Sequence, residues 1–119
     1  MIAPAFGEIW LVSLDPVRGV EQGSDRQGND RPCLVVSVDD FNFSPAELVV
    51  VVPITSTIKD MEWWVGIKPP EGGLDRPSSI MCEQPRAIDF QERFSRKLGS
   101  VSHDTMSAVH ERLRYLLGL

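Results

Sequence analysis

The sequence predicts an α+β protein that is mainly β, a small antiparallel barrel or half-barrel with one helix at its C-terminal end. Short runs rich in Val, Ile and Trp alternate with Gly and Pro along most of the chain, which is typical of strands joined by turns. The end of the chain changes to helical spacing. With 119 residues, we expect a single domain spanning residues 1–119, built around one core.

Five apolar runs predict the strands, at residues 8–14, 32–39, 47–55, 63–68 and 79–84. The third run, ELVVVVPIT, is the most apolar and is therefore expected in the centre of the sheet. Its Pro53 predicts a bulge or a strand end, since proline cannot donate to a strand ladder. The segment PPEGG at 69–73 predicts a turn between the fourth and fifth strands.

The helix is predicted from its two ends and its apolar face. Ser102 is a suitable N-cap, Asp104 suits the first turn, and Gly118 suits the C-terminal end. Residues 89–97 are compatible with a short helical turn. The apolar face consists of Met106, Val109, Leu113, Leu116 and Leu117.

Composition excludes several classes of function. The chain has 12 basic and 17 acidic residues, a net charge of −5, which excludes a protein that coats nucleic acid through its overall charge but not a local basic groove. The N-terminus lacks the pattern of a signal peptide. The most apolar run, LVVVVPI, is far shorter than the ~20 residues of a membrane helix. We therefore expect a soluble, cytoplasmic protein with no membrane association.

No motif indicates a metal or cofactor. Cys33 and Cys82 lie in apolar segments without a CxxC spacing, which predicts buried free thiols. His103 and His110 fall seven residues apart on the predicted helix and are expected to be exposed. There is no glycine-rich phosphate loop, HExxH or GxSxG.

A polar segment of 17 residues, 15–31, separates the first two predicted strands. Loops of this length are usually functional or mobile, so both a substrate-binding wall and a disordered surface loop remain open. Its charged and amide residues include Arg18, Glu21, Gln22, Arg26 and Arg31. Arg31 directly precedes Pro32, which places it at the rim of a rigid sheet. There it can stabilise developing charge or simply be a solvated strand-end arginine.

Two further clusters carry polar groups. The segment PITST at 53–57 places hydroxyls at a strand end, where they can bind phosphate oxygens or form an ordinary turn. The segment CEQPR at 82–86 combines a carboxylate, an amide and a guanidinium, either as a site or as a salt bridge. Adjacent residues of a strand point to opposite faces. We expect Trp63 and Trp64 to pack in the core or at a dimer interface; the alternative is that one of them is exposed and stacks a base or binds a partner.

Taken together, GEIWLVSLDPVRGVEQG, RPCLVVS, VVVVPITST and MCEQPRAID resemble the MazF/PemK/Kid family of toxin endoribonucleases (mRNA interferases) of type II toxin–antitoxin systems. The matches run in the family's order from Gly7 to about Leu117. The resemblance implies an SH3-like antiparallel barrel of the CcdB/PemK type that acts as a homodimer without a cofactor. It implies metal-independent, sequence-specific cleavage of single-stranded RNA, often mRNA. It also implies a cognate antitoxin whose flexible acidic tail covers the active groove.

The resemblance assigns roles to individual residues. It implies that the catalytic residues are Arg31, Thr55, Glu21 and Glu83, and that the RNA-binding residues are Arg18, Gln22, Ser56, Gln84 and Arg86. Two departures stand out. The segment SDRQGND lengthens the loop before Arg31, and Met81 replaces an arginine that some members carry two positions before the acid.

The implied reaction is attack of a ribose 2′-OH on the adjacent phosphate, which gives a 2′,3′-cyclic phosphate and a 5′-OH end. Arg31 would stabilise the phosphorane and Thr55 would hold a phosphate oxygen. Whether Glu83, Glu21 or Arg31 acts as the base stays open. The main alternative is a non-enzymatic, CcdB-like toxin that binds a protein target such as DNA gyrase. An SH3-like RNA-binding module is a third interpretation, which the acidic pI of 4.9 disfavours.

Overall fold

The structure, a computed structural model, describes residues 2–24 and 30–119. In this part of the chain the strands are β1 (Glu8–Val12), β2 (Arg31–Val35), β3 (Leu48–Thr55), β4 (Trp64–Ile67), β5 (Ser78–Met81), β6 (Arg86–Asp89) and β7 (Phe94–Ser100). The helices are α1 (Asp39–Asn42), α2 (Phe90–Arg93) and α3 (His103–Leu117), with a 3₁₀ turn at Glu71–Gly73. No helix in the described ranges is long and apolar enough to cross a membrane.

The strands form one antiparallel sheet in the order β4-β5-β3-β2-β1-β7. In the described residues this path ends at β4 and β7, so the barrel-like sheet is not closed by hydrogen bonds. The most apolar strand, β3, lies inside the sheet as predicted and pairs with β2 along one edge. The architecture is the expected one, mainly β with a C-terminal helix.

The second edge of β3 changes partner along its length. Residues Leu48–Val51 pair with β6, whereas Ile54 and Thr55 pair with β5. Between these two partners the edge of β3 has a gap, and Pro53 lies in it. A groove lies beside β3 at this gap.

Pro53 fits this position because its nitrogen has no ladder bond to make. The N–H of Val36 donates to the carbonyl of Val50 at 2.9 Å. Hydrogen-bonded and non-hydrogen-bonded pairs alternate in an antiparallel ladder, so the Cys33–Pro53 pair is non-hydrogen-bonded and Pro53 faces the gap. The bulge or strand end predicted at Pro53 is therefore not observed: β3 continues to Thr55 in an unshifted register with β2.

The sheet buries a hydrophobic cluster on each face. One cluster joins the sheet to α3 and includes Ile9, Leu34, Val52, Ile54, Ile80, Cys82, Met106 and Val109. The other lies on the opposite face and includes Val12, Leu14, Cys33, Val35, Val49, Val51, Ile88, Phe90 and Phe94. Both cysteines are free and buried as predicted, one in each cluster.

Helix α3 confirms the prediction at both ends. The Ser102 hydroxyl accepts from the Thr105 N–H, and Gly118 ends the helix at φ +71°. The Glu71 carboxylate adds a second cap, since it accepts from the Ser102 N–H at 2.8 Å and the Thr105 hydroxyl at 2.6 Å. Partial burial raises the pKa of Glu71, but these hydrogen bonds outweigh it and leave the pKa below its ordinary value.

The five predicted strands are all present, but β6, β7 and α1 were not predicted. Strands β2 and β5 begin one residue earlier than predicted, and the other strand ends agree with the prediction or fall short of it. The helical turn expected within residues 89–97 is α2, which is flanked by the two unpredicted strands. Strand β7 pairs with β1 alone at the end of the sheet. Residues 95–97 are polar and exposed. The sequence did not predict β7 because the apolar alternation typical of a strand is missing there.

The expectations for the tryptophans and histidines need correction. Neither tryptophan fills the core: both are half-buried, and Trp63 stacks on Tyr115 with ring centroids 5.4 Å apart. His103 is exposed as predicted, but His110 is half-buried and lies against Phe6, with ring centroids 5.3 Å apart.

Candidate active site

A groove of about 680 Å³ lies beside β3 where its edge passes from β6 to β5. Val51 and Pro53 of β3 line it, together with the β1–β2 loop on one side and the turn that precedes β6 on the other. The remaining lining residues are Leu14, Pro16, Val20, Glu21, Gln22, Glu83, Gln84, Pro85 and Arg86. The groove is thus apolar along its base, and its walls carry both apolar and polar side chains.

Arg31 begins β2 at the rim of the sheet, as predicted, and is half-buried. Its Nη1 donates to the carbonyl of Ile54 at 3.1 Å and its Nε donates to the carbonyl of Gly23 at 2.6 Å. Extending the β2–β3 register by two residues brings Arg31 opposite Thr55. The structure therefore brings the predicted arginine and threonine together at two adjacent strand ends.

Gln22 connects Arg31 to the groove, which Arg31 and Thr55 do not themselves line. The amide of Gln22 lies against the guanidinium. With its oxygen facing Arg31, that oxygen accepts from Nε at 3.1 Å and from Nη2 at 2.9 Å. The guanidinium thus has a fixed orientation next to the groove wall.

Thr55 is the last residue of β3 and is 8% exposed. Its hydroxyl accepts from the N–H of Thr57 at 3.2 Å, which is the turn-forming role that the sequence also allowed. Ser56 follows it and is exposed. Hydroxyls are therefore present next to Arg31, one almost buried and one accessible.

The two candidate carboxylates have different surroundings. Glu21 is exposed, and its Oε1 accepts from the backbone N–H of Arg18 at 2.7 Å, which closes a tight turn. Glu83 is half-buried, and both its oxygens accept from Nε1 of Trp64, at 3.0 and 3.2 Å. Arg18 is exposed on the loop. Glu83 is thus held in the groove wall, whereas Glu21 organises the loop.

Trp64 is a site residue that sequence reasoning missed in this role. It precedes Glu83 by 19 positions and reaches it only because β4 pairs with β5, with Trp64 opposite Met81. Met81, one of the two departures from the family pattern, is buried. The local pattern contains no signal for this contact.

Gln84 and Arg86 bind the backbone of the β1–β2 loop. Gln84 Oε1 accepts from the N–H of Gln22 at 2.6 Å, and its Nε2 donates to the carbonyl of Val20 at 3.3 Å. Arg86 Nη1 donates to the carbonyl of Leu14 at 2.7 Å. These residues join the two walls of the groove, and the alternative of a Glu83–Arg86 salt bridge is not observed between these described residues.

Cys33 is a buried free thiol opposite Pro53, which lies at the base of the groove. Burial raises the pKa of the Cys33 thiol well above its ordinary value, while the charges of Arg31 and Arg86 lower it and Asp30 raises it. Two guanidinium groups thus act on one buried position beneath the site. Within residues 2–24 and 30–119, no group of three or more His, Cys, Asp or Glu side chains could hold a metal ion.

The described part of the β1–β2 loop is tied to its surroundings. Ser24 closes its base: the Ser24 hydroxyl accepts from the N–H of Leu14 at 3.3 Å, and the Ser24 N–H donates to Asp15 Oδ1 at 3.3 Å. This part forms a wall of the groove, and its role in binding a substrate stays a prediction. Most of the SDRQGND segment, including Arg26, lies outside the described residues.

Comparison with known proteins gives consistent matches over nearly the whole chain. A family model described as PemK-like, MazF-like toxin of type II toxin-antitoxin system matches residues 5–117. Endoribonuclease PemK of Escherichia coli is 39% identical over 115 residues, which cover 93% of this chain and 80% of that protein. Endoribonuclease MazF9 of Mycobacterium tuberculosis is 37% identical over 118 residues, 95% of each chain.

Solved structures match the fold. MazF of Deinococcus radiodurans has a TM-score of 0.83 at 26% identity and covers 98% of both chains. An endoribonuclease in complex with its cognate antitoxin, from a mycobacterial species, has a TM-score of 0.76 at 25% identity and covers 98% of this chain and 97% of that one.

Proposed function

The chain belongs to the family of PemK-like, MazF-like toxins of type II toxin–antitoxin systems, and from this premise we propose that it is an endoribonuclease toxin. We propose in addition that it cleaves single-stranded RNA, including mRNA, at specific short sequences and without a metal ion. The observation that carries the proposal is the fixed guanidinium of Arg31 beside Thr55, next to a groove with polar walls.

We propose that the ribose 2′-oxygen attacks the adjacent phosphorus, so that the 2′-O–P bond forms and the P–O5′ bond breaks. A base takes the 2′-OH proton, and the leaving 5′-oxygen takes a proton from the protonated base or from water, which gives a 2′,3′-cyclic phosphate and a 5′-OH end. Arg31 stabilises the negative charge of the phosphorane, and Thr55 donates to one of its oxygens. Since the arginine pKa lies far above neutrality, charge stabilisation is the role that suits Arg31.

The surroundings of the carboxylates favour Glu83 as the base over Glu21. Glu83 lines the groove and is oriented by the Trp64 indole N–H at 3.0 Å. An oriented carboxylate meets the geometric requirement for proton transfer, which precedes that of pKa. Glu21 also lines the groove, but it is exposed and its Oε1 accepts from the Arg18 backbone N–H within the loop, so we assign Glu21 to the loop wall.

We propose that RNA is bound along the groove and at its rim. Arg18 and Ser56 are exposed beside it and are available for phosphate contacts. Gln22, Gln84 and Arg86 line the groove, where amide and guanidinium groups can contact base edges or phosphates. In a chain of net charge −5, Arg18, Arg31 and Arg86 supply the positive groups that we propose for phosphate contacts.

The proposed partners follow from the family. The mycobacterial neighbour was solved with its cognate antitoxin, and we propose that a cognate antitoxin with a flexible acidic tail covers the groove of this chain. We also propose a homodimer that acts in the cytoplasm.

Replacement of Arg31 tests the mechanism. We expect Arg31→Ala to lower RNA cleavage by about 10²–10³-fold, the usual effect of removing one such donor, with an unchanged circular dichroism spectrum. The matched control is Arg76→Ala, since Arg76 is exposed and its Nε forms an ion pair with its neighbour Asp75. Cleavage of a long RNA should be equal in EDTA and in Mg²⁺.

Three outcomes would contradict parts of this proposal. Cleavage at the normal rate by Arg31→Ala would remove Arg31 from the mechanism, and loss of cleavage in EDTA would overturn metal independence. Intact RNA after incubation with the unmodified protein would favour the non-enzymatic, protein-binding alternative.

A further inference from the structure

Both the oxygen and the nitrogen of the Gln84 side-chain amide form hydrogen bonds with the backbone of the β1–β2 loop. Its oxygen accepts from the N–H of Gln22 at 2.6 Å and its nitrogen donates to the carbonyl of Val20 at 3.3 Å. One side chain therefore binds Val20 and Gln22, the two ends of loop residues 20–22, which lie more than sixty positions away in sequence.

The same short loop segment carries two of the groups that hold Arg31, in addition to the Ile54 carbonyl on β3. The carbonyl of Gly23 accepts from Arg31 Nε at 2.6 Å, and the Gln22 amide lies against the guanidinium, with its oxygen 2.9 Å from Nη2 in the orientation that faces Arg31. Gln22 thus has its backbone bound to Gln84 and its side chain bound to Arg31. A displacement of residues 20–23 would move these acceptors away from the guanidinium.

We propose that Gln84 is a positioning residue that orients Arg31 through loop residues 20–23. The proposal rests on the proposed function of Arg31. For Gln84 it replaces the RNA contact proposed above, because both ends of its amide are already bound within the protein. Misplacing a catalytic group by about 1 Å can cost roughly a hundredfold in rate, so a clasp of two hydrogen bonds remote from the reacting atoms can matter for catalysis.

Direct contact between Gln84 and RNA predicts a different result. If Gln84 mainly binds the substrate, its removal raises KM and leaves Arg31 unaffected in the free protein. If it positions Arg31, its removal lowers kcat and disturbs Arg31 even when no RNA is present. The two roles are therefore separable with the same variant.

The test compares Gln84→Met with Gln91→Met. Methionine keeps the length of the side chain and removes both amide hydrogen bonds. Gln91 is exposed on α2 and does not line the groove, which makes it a matched control. Gln84→Glu is the conservative variant, since it keeps an acceptor for the Gln22 N–H but loses the donor to Val20.

The readouts are hydrogen exchange of the Gln22 amide and of the Arg31 Nε–H by NMR, together with kcat and KM on a short RNA. In Gln84→Met we expect both protons to exchange at least about fivefold faster, as the loss of one hydrogen bond permits. We expect kcat to fall about ten- to a hundredfold with KM nearly unchanged. Gln84→Glu should lie between the two, and Gln91→Met should match the unmodified protein.

Unchanged exchange of Arg31 Nε–H in Gln84→Met would overturn the proposal, and so would a rise in KM with an unchanged kcat. The exchange measurements need no RNA, so they keep the two proposals distinct. A protein that cuts no RNA would overturn the proposed function, while faster Arg31 exchange in Gln84→Met would still support the positioning role.

Discussion

Thr55 combines a structural and a proposed chemical role in one hydroxyl. Its oxygen accepts from the Thr57 N–H at 3.2 Å, which leaves its own proton available to donate. Because Thr55 is 8% exposed, a donor at this position is largely shielded from water. Hydrogen bonds to charged oxygens are stronger in such a shielded position than in water. The next residue but one, Thr57, offers the same side chain in an exposed setting.

Thr55→Val separates the hydroxyl from the shape of the side chain. We expect cleavage to fall about ten- to a hundredfold, since a hydrogen bond to a charged group contributes about 1.5–3 kcal/mol. The fold should lose only about 1 kcal/mol, the ordinary cost of the turn hydrogen bond. Initial rates on a fluorogenic RNA and thermal unfolding measure the two effects. Thr57→Val is the control, and equal rates for both variants would exclude Thr55 from the reaction.

The sequence predicts site residues well where a single chain position determines their placement. Arg31 precedes Pro32 at a strand start, so its position at the rim follows from local pattern. The contacts of Glu83 and Gln84 depend on partners 19 and more than sixty positions away. Such partners are set by strand pairing, which local pattern does not encode. The sequence could therefore name the groups of the site but not their division into reacting and positioning residues.

At the scale of elements, the 3₁₀ turn and β7 cross with unusually close backbones. Gly73 has φ +71°, and a Cβ there would overlap the carbonyl oxygen of Leu98. On the other side of the crossing, a Cβ on Gly99 would lie 2.7 Å from the Gly72 carbonyl carbon. The sequence predicts the turn from PPEGG but not this crossing, because β7 is too polar and exposed to be recognised as a strand.

Gly73→Ala should therefore destabilise the protein by more than the usual cost of a left-handed alanine. That cost is about 1–2 kcal/mol, and we expect at least about 1 kcal/mol in addition because backbone must move. Gly118→Ala is the matched control, since Gly118 has the same φ of +71° and no atom within 4 Å of the added Cβ. Urea unfolding measures both variants. Equal losses of unfolding free energy would show that the crossing adds no constraint.

At the scale of the whole molecule, the fold and the site share one cause. Strand β3 pairs with β2 on one edge and changes partner on the other, from β6 to β5. The gap at Pro53 gives the groove, and the end of the strand gives Thr55 opposite Arg31. The sequence predicts that β3 is central and that a helix packs at the end. It does not predict the partner change, since β6 is only four residues long and half-exposed.

The two hydrophobic clusters lie on opposite faces of this sheet, and each contains one cysteine that reports on it. Cys82 belongs to the cluster beneath α3 and Cys33 to the cluster on the opposite face, and both are fully buried. Burial raises the pKa of both thiols, that of Cys82 to about 12. Since the thiolate is the reactive form, neither should react in the folded protein.

If the sheet joins both clusters into one cooperative unit, both thiols become reactive only through global unfolding. We expect alkylation of Cys33 and Cys82 in the native protein to proceed at rates equal within about twofold, followed separately by peptide mass spectrometry. Labelling in high urea gives the intrinsic rate of each thiol for correction. The unfolding free energy derived from either rate should then equal that from circular dichroism. Much faster labelling of Cys82 would instead show that α3 and its cluster open independently of the sheet face that carries Arg31 and Thr55.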